Sequence, residues 1–290
     1  KTAGVMVLAD GKVVHEEYGL GMGPKDRWTS FSVAKSFTST LLGAAVKDGL
    51  ISLDDPVTKH IPGLKGSAYE GVTVRQLATM TSGVKWNEDY TDPKSDVAQM
   101  NRFVVEYGAD AIVAQMKQLP REAEPGVKWV YKTGETNLIG VLVENAVGKP
   151  LAEYAQSKIA EPAGFEGGLF WMVDPRGGNI GGCCLSITLG DYARMGQFVL
   201  EGGKGAVPEG WFAEFEIPFY TLKYRVGEKE QLWGINFERN IRRKREQVRW
   251  QGWGRDNRRF VPAQVAGLTK AEVPRLALKW AFAYPAAKRA

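Results

Sequence analysis

The dipeptide Asp10-Gly11 stands between two strand-patterned runs, Val5–Leu8 and Val13–Tyr18, and beyond them helical patterns predominate. Asp-Gly accepts the positive φ angles that a tight turn between twisted antiparallel strands requires, so the chain opens on a hairpin. From Val33 to Asp48, Phe37, Leu41, Ala44 and Ala45 recur at helical spacing and Gly49 ends the run. Glu135–Val147, closed by Gly148, reads as a second long helix and Leu151–Ile159 as a third. Thr188, with Asp191 three residues on, reads as the capped start of a fourth that ends near Gly202-Gly203. Val74–Met80 is a short helix leading into a Thr81-Ser82-Gly83 turn, and Leu53–Leu64, with Asp54, Asp55, Pro56, Pro62 and Gly63, reads as loop. A hairpin followed by helices is an α+β pattern, with at least part of the sheet supplied by distant segments.

Charge divides the 290 residues unevenly. Residues 1–213 hold 21 Lys+Arg against 25 Asp+Glu, whereas 214–290 hold 17 against 8. Within the basic part, Ile217–Tyr224 and Gln231–Ile241 have partly alternating, aromatic-rich patterns joined by Arg225–Glu230, a second hairpin. The run Arg242–Arg245 and the segment Trp250–Gly254 come next, with no nucleic-acid motif, so the imbalance marks a module boundary near 213 and no nucleic-acid partner is expected. No run of eighteen apolar residues exists, so no membrane-spanning helix is expected. The chain starts at Lys1, inside a strand-like segment, which leaves removal of a leader open. Cys183 and Cys184 are adjacent; neighbours rarely pair, so neither a disulfide framework nor a metal spacing is expected.

Only two histidines occur, His15 in a strand and His60 in a Pro-Gly loop, and neither neighbours a nucleophile in sequence. That scarcity argues against a Ser-His-Asp triad and a His-rich metal site. A nucleophile here needs another base. Ser32 lies at the start of the first helix with Lys35 three residues on, so the two face one side. A serine hydroxyl becomes nucleophilic when a base takes its proton, and a lysine serves once burial and a helix N-terminus lower its pKa. The same helix end offers the Ser32 backbone N–H to an oxyanion. Taken alone, Ser-x-x-Lys is also a common accidental tetrapeptide.

Its context is not accidental. FSVAKSFTSTLLGAAVKDGLISLDDPVTKHIPGL resembles the nucleophile segment of the penicillin-recognising serine hydrolases, in their class C β-lactamase-like branch. VTVRQLATMTSGVKW, VYKTGETNLIGVLVENAVGKPLAEYAQSKI and GGCCLSITLGDYARMGQFVLEGGK resemble three further blocks in the same order, covering about 1–213. NEDYTDPKSD resembles the 6-aminohexanoate-dimer hydrolase subgroup, which cleaves small amides and carboxylic esters. The resemblance implies a β-lactamase/transpeptidase-like α+β fold, an antiparallel sheet with a helical subdomain. It also implies Ser32 as nucleophile, with Lys35 and Tyr131 moving protons, and neither metal nor organic cofactor. Thr133 stands where the family has a polar residue beside the nucleophile, Tyr90 matches a loop tyrosine that bonds the leaving nitrogen, and Asn101 falls at a polar substrate contact. The expected partner is a small amide or ester, and a bacterial periplasm is favoured over cytoplasm.

The family also carries a third motif, Lys-Thr-Gly or His-x-Gly, on a strand near the C-terminus. Lys132-Thr133-Gly134 belongs to the tyrosine block instead, and beyond Glu214 the family pattern stops. The C-terminal sheet strands are therefore expected to be missing or replaced. EFEIPFYTLKY and QLWGINFERNIRRKRE resemble a carbohydrate-binding-like domain of envelope proteins, which sets a segment at 214–249. WQGWGRDNRRFVPAQVAGLTKAEVPRLALKWAFAYP, at 250–290, resembles the opening of a quinone-dependent polyvinyl alcohol dehydrogenase propeller. It lacks most of a propeller, so no quinone is expected. Three functions are compatible with these features: a serine hydrolase with a Ser-Lys-Tyr mechanism, a catalytically impaired relic or chimera of that fold, and an envelope polymer-binding module.

Overall fold

A computed structural model describes residues 2–107, 111–174, 177–214, 220–226 and 229–235, with backbone alone at 101, 103–107, 213–214, 220–226 and 229–235. The chain divides into two compact units, one of Met6–Glu16 with Gly23–Phe212, the other of Lys1–Val5, Glu17–Met22 and Ala213–Ala290.

The opening hairpin pairs β1 (Gly4–Ala9) with β2 (Lys12–Tyr18). Its turn residues Asp10 and Gly11 both have positive φ, 50° and 73°, the geometry anticipated for Asp-Gly. In the larger unit β3 (Arg27–Thr29) leads through a 3₁₀ turn (Phe31–Val33) into α1 (Ala34–Lys47). The loop expected over Leu53–Leu64 instead folds into the short helix α2 (Val57–His60) and a 3₁₀ turn (Pro62–Leu64). Pro56 precedes α2 in extended conformation, and Val57, Ile61 and Leu64 are buried, so local burial overrides the Pro-Gly signal. The next helix, α3 (Val74–Ala78), starts on a capping box: Gln76 N donates to Thr73 Oγ1 at 3.2 Å and Thr73 N to Gln76 Oε1 at 3.0 Å.

The helices α4 (Asp96–Tyr107) and α5 (Ala111–Lys117) are among the additions to the sequence pattern. Next is α6 (Thr133–Val147), closed by Gly148 in the left-handed conformation. Leu151–Ile159, expected as one helix, divides into α7 (Leu151–Ala155) and a π turn (Gln156–Ala160), and α8 (Glu161–Ala163) comes directly after. The remaining elements are β4 (Phe170–Trp171), β5 (Leu185–Thr188), α9 (Leu189–Leu200), α10 (Trp211–Glu214), β6 (Tyr220–Val226) and β7 (Lys229–Ile235). The start of α9 carries the anticipated cap, with Asp191 N donating to Thr188 Oγ1 at 3.2 Å. β6 and β7 form the second hairpin, in antiparallel register from Tyr220↔Ile235 to Val226↔Lys229, with a shorter connection than Arg225–Glu230. Of the features read from sequence, residues 217–219 and 236–241, Arg242–Arg245 and Trp250–Gly254 lie outside the described residues. No helix among the described residues is long and apolar enough to cross a membrane.

One pairing positions the site. β5 lies between β3 and β4, antiparallel to both, with Arg27↔Thr188, Trp28↔Ile187 and Thr29↔Ser186. The sheet is thus supplied by segments distant in the chain, and it sets the entry to α1 beside the glycine-rich approach to β5. α1 packs on α6, and both helices bury large side chains completely: Phe37, Leu41 and Leu42 on α1, and Leu138, Leu142 and Val143 on α6. Each large side chain there contributes about 1.5–3 kcal/mol of burial. Phe37 meets Phe165 and Trp171 edge-to-face, both at 6.5 Å between centroids. Gly43 leaves room for Trp211, whose ring would lie 2.5 Å from any Cβ placed there.

Candidate active site

The chain leaves β3 at Ser30, which is tied to β5 twice: Ser30 N donates to Leu185 O at 2.7 Å and Leu185 N donates to Ser30 Oγ at 3.1 Å. Phe31 then adopts φ 45°, a left-handed conformation that a bulky side chain disfavours. This turn presents Ser32 to solvent one short turn ahead of α1, while Lys35, in the first turn of α1, is only 6 % exposed. From there the Lys35 Nζ donates to Ser32 Oγ at 3.2 Å, Thr133 Oγ1 at 3.1 Å and Gly182 O at 2.8 Å. It also lies 5.0 Å from the centroid of the Tyr131 ring. Burial lowers the Lys35 pKa from 10.5 to about 8, against the carboxylate of Glu88, which raises it.

These partners suit both protonation states. An ammonium has three N–H groups and finds three acceptors. A neutral amine keeps two, for Thr133 Oγ1 and Gly182 O, and turns its lone pair to the Ser32 hydroxyl. The approach of Gly182 depends on its lacking a side chain: a Cβ would lie 2.7 Å from Asn137 Oδ1 and 3.0 Å from Thr133 O. Asn137 is buried and accepts from Gly182 N at 2.7 Å, and Thr38 Oγ1 donates to Gly181 O at 2.6 Å. α1 and α6 therefore grip the Gly181-Gly182 pair from two directions.

Glu88 completes the cluster. Its carboxylate accepts from Thr133 N at 2.9 Å, from Tyr90 Oη at 2.6 Å, and from Thr133 Oγ1 and Trp86 Nε1. A continuous chain thus runs from Ser32 Oγ through Lys35 Nζ and Thr133 Oγ1 to Glu88. Tyr90 is 68 % exposed, its hydroxyl held by Glu88, and burial of part of its ring together with that carboxylate pushes the phenol pKa up.

A family model described as Beta-lactamase matches residues 1–264. The chain belongs to the beta-lactamase family. The matched range runs past residue 213. A 6-aminohexanoate-dimer hydrolase of Paenarthrobacter ureafaciens is 29% identical over 218 residues, 72% of this chain and 56% of the relative. A beta-lactamase of Pseudomonas fluorescens is 23% identical over 172 residues, 56% of this chain and 44% of that protein. The chain therefore spans about half the length of these relatives. Among solved structures, a Bacillus anthracis protein provisionally described as a 6-aminohexanoate-dimer hydrolase aligns with TM-score 0.67 and 24% identity, over 74% of this chain and 60% of that one. A penicillin-binding protein of Bacillus halodurans aligns with TM-score 0.57 and 17% identity, over 72% of each chain. Both likenesses concern the fold, which is β-lactamase/transpeptidase-like.

Within this beta-lactamase-family fold, five of the six residues singled out from sequence fall in one cluster: Ser32, Thr133 and Tyr131 lie around the Lys35 amine, and Tyr90 joins through Glu88 and Thr133. Asn101 lies on α4, and its side chain is outside the described residues. His60 pairs with Asp55 at 2.9 Å. Lys132, the lysine of the misleading Lys-Thr-Gly, is fully buried, 3.5 Å from Glu135 Oε1, and donates to Ser82 Oγ at 3.3 Å. Burial raises the Glu135 pKa to about 7, against the opposing pull of Lys132. Sequence reasoning passes over Glu88, Asn137 and Gly182. A signal for Glu88 exists: in an extended segment Trp86, Glu88 and Tyr90 share one face.

The two cysteines overturn an expectation. Cys183 and Cys184 are joined as a disulfide, so adjacency does not prevent pairing. The backbone provides for it, with Cys184 at φ 69° in the left-handed region.

Proposed function

We propose that this chain is a serine hydrolase that cleaves small amides or carboxylic esters through an acyl-enzyme on Ser32. The observation that carries the reading is the Lys35 Nζ, buried, 3.2 Å from Ser32 Oγ, with its remaining donors engaged by Thr133 and Gly182. Neutral Lys35 takes the hydroxyl proton as Ser32 Oγ attacks the substrate carbonyl carbon. The proton then passes, with Tyr131 as partner, to the departing nitrogen or oxygen as the C–N or C–O bond breaks. Water, activated by the same pair, releases the acid and restores Ser32. The Ser32 N–H supports the oxyanion, and Tyr90, exposed beside Glu88, contacts the leaving group. The name of the Paenarthrobacter ureafaciens relative supports a linear amide as one substrate class.

The test is a fluorophosphonate probe read by intact mass and peptide mapping. One adduct per chain on the Ser32 peptide is expected, together with its loss in Ser32→Ala. Labelling that persists in Ser32→Ala, or none in the native chain at saturating probe, refutes the assignment.

A further inference from the structure

We propose that Cys183–Cys184 is a redox site, in which opening of the disulfide by a dithiol reductant slows the reaction at Ser32. The proposal rests on Ser32 being the nucleophile and on where the bridge lies. The segment Gly181–Leu185 touches Lys35 at one end and, at the other, Ser30, two residues before Ser32. Upstream, Gly182 O accepts from Lys35 Nζ at 2.8 Å. Downstream, Leu185 holds Ser30 through two hydrogen bonds, at 2.7 and 3.1 Å. The two cysteines are the whole of the connection between those anchors.

Between the anchors, Cys184 N donates to Phe31 O at 3.3 Å, so the residue preceding Ser32 hangs directly on the bridge. Phe31 and Cys184 both have positive φ, 45° and 69°. Neither is a glycine, so each holds a disfavoured backbone conformation, and each is steadied by its bond to the other. Closing a ring through adjacent side chains restricts the backbone between them. Opening it returns torsional freedom to Cys184, the residue whose conformation supports Phe31. The outer contacts are firm: Trp171 Nε1 donates to Cys183 O at 3.1 Å and Met172 N to Cys184 O at 3.0 Å. Reduction thus frees the short stretch facing Phe31 while the strand behind it stays in place.

Both cysteines are half-buried, so a small reductant reaches them. The step balances. A reagent thiolate attacks one Sγ, the Cys183–Cys184 S–S bond breaks, and a mixed disulfide forms. The second reagent thiol then displaces the cysteine and closes the reagent into its own disulfide. Two electrons and two protons pass to the protein, leaving two thiols. In an oxidising compartment the bridge is the resting form.

The experiment uses the full chain, oxidised or treated with dithiothreitol, with the state counted by iodoacetamide adducts and mass. Because the chain has only these two cysteines, the oxidised form takes up none and the reduced form two. Fluorophosphonate labelling of Ser32 is then timed in each state, and amide exchange is measured over residues 28–36 and 180–187. Reduction is expected to slow labelling by up to about a hundredfold, the cost of roughly 1 Å of misplacement at an active site, and to speed exchange at Cys184 and Leu185. The double variant Cys183→Ser/Cys184→Ser is expected to match the reduced chain and ignore dithiothreitol. Two alkylated cysteines without reductant overturn the proposal, as do equal labelling and equal exchange in the two states, or a variant that still responds to dithiol. If neither state labels, the hydrolase reading fails by itself, and redox-independent exchange then also removes the bridge from control of this wall.

Discussion

On the proposed mechanism, the ionisation of Lys35 sets the pH at which Ser32 is acylated. Burial holds its pKa at about 8 rather than 10.5, so about 9% of the chains carry the neutral amine at pH 7, about half at pH 8 and about 91% at pH 9. If the free amine is the base, the rate of fluorophosphonate labelling tracks that fraction. It climbs about fivefold from pH 7 to 8 and less than twofold from 8 to 9, then levels off. A lysine of ordinary pKa would still be gaining about eightfold between pH 9 and 10. The assay is pseudo-first-order labelling at fixed probe concentration from pH 6 to 10.5, corrected for spontaneous probe hydrolysis and read by intact mass. A rate that keeps rising to pH 10 refutes the lowered pKa. A bell-shaped profile with its descending limb near pH 8 refutes Lys35 as base, because it means the ammonium is the active form and another group takes the proton.

Three other outcomes are expected from the same geometry. Glu88→Gln leaves two of the four donors on that side chain facing an amide NH₂, each stranded donor costing about 1–3 kcal/mol. Labelling at its plateau should fall roughly tenfold, and because the carboxylate raises the Lys35 pKa, the rise with pH should shift to the acid side. Gly182→Ala places a Cβ 2.7 Å from Asn137 Oδ1 and 3.0 Å from Thr133 O; denaturant unfolding should show a loss of about 1–3 kcal/mol, with slower labelling as Gly182 O withdraws from Lys35. Glu135 has a folded pKa of about 7, raised from 4.5 by burial, so its contribution to stability is full below pH 4.5 and is lost as pH rises through 7, on the order of 3 kcal/mol in all. Urea unfolding from pH 5 to 8 should show that slope and Glu135→Gln should flatten it; parallel slopes in the two proteins would exclude Glu135 as its source.

How much of the fold was legible in the sequence depended on the range over which each signal acts. The Asp10-Gly11 hairpin, the Gly148 stop and the Thr188 cap are set by a few neighbouring residues, and each stands where the local chemistry put it. The segments that failed are ones where tertiary burial outvotes local signals. Pro56 and Pro62-Gly63 read as breakers, yet the core takes up Val57, Ile61 and Leu64 and makes helical turns of the stretch. Helix α4 comes after a segment rich in Asp and Pro, and its start depends on Ser95 Oγ accepting from Ala98 N at 3.2 Å, one hydrogen bond hidden among several candidate caps.

The site shows the same division. Ser32 and Lys35 are three residues apart, so a helix alone brings them together, and a motif could be read. Thr133 and Gly182 reach the same amine through the pairing of β3 with β5 and the packing of α1 on α6, and Glu88 joins them through Thr133; none of this leaves a local pattern. Yet these long-range partners decide whether the motif can work. A Ser-x-x-Lys pair on an exposed helix would keep a lysine of ordinary pKa, charged at neutral pH and unable to accept a proton. Here burial lowers that pKa, and two fixed acceptors leave the deprotonated amine with its lone pair aimed at the hydroxyl. Glu88 pulls the other way, raising the lysine pKa while fixing Thr133 and Tyr90. The Lys35 pKa is therefore set by opposition between burial and one carboxylate, and changing either should move the pH profile of the proposed reaction in a direction that the structure already specifies.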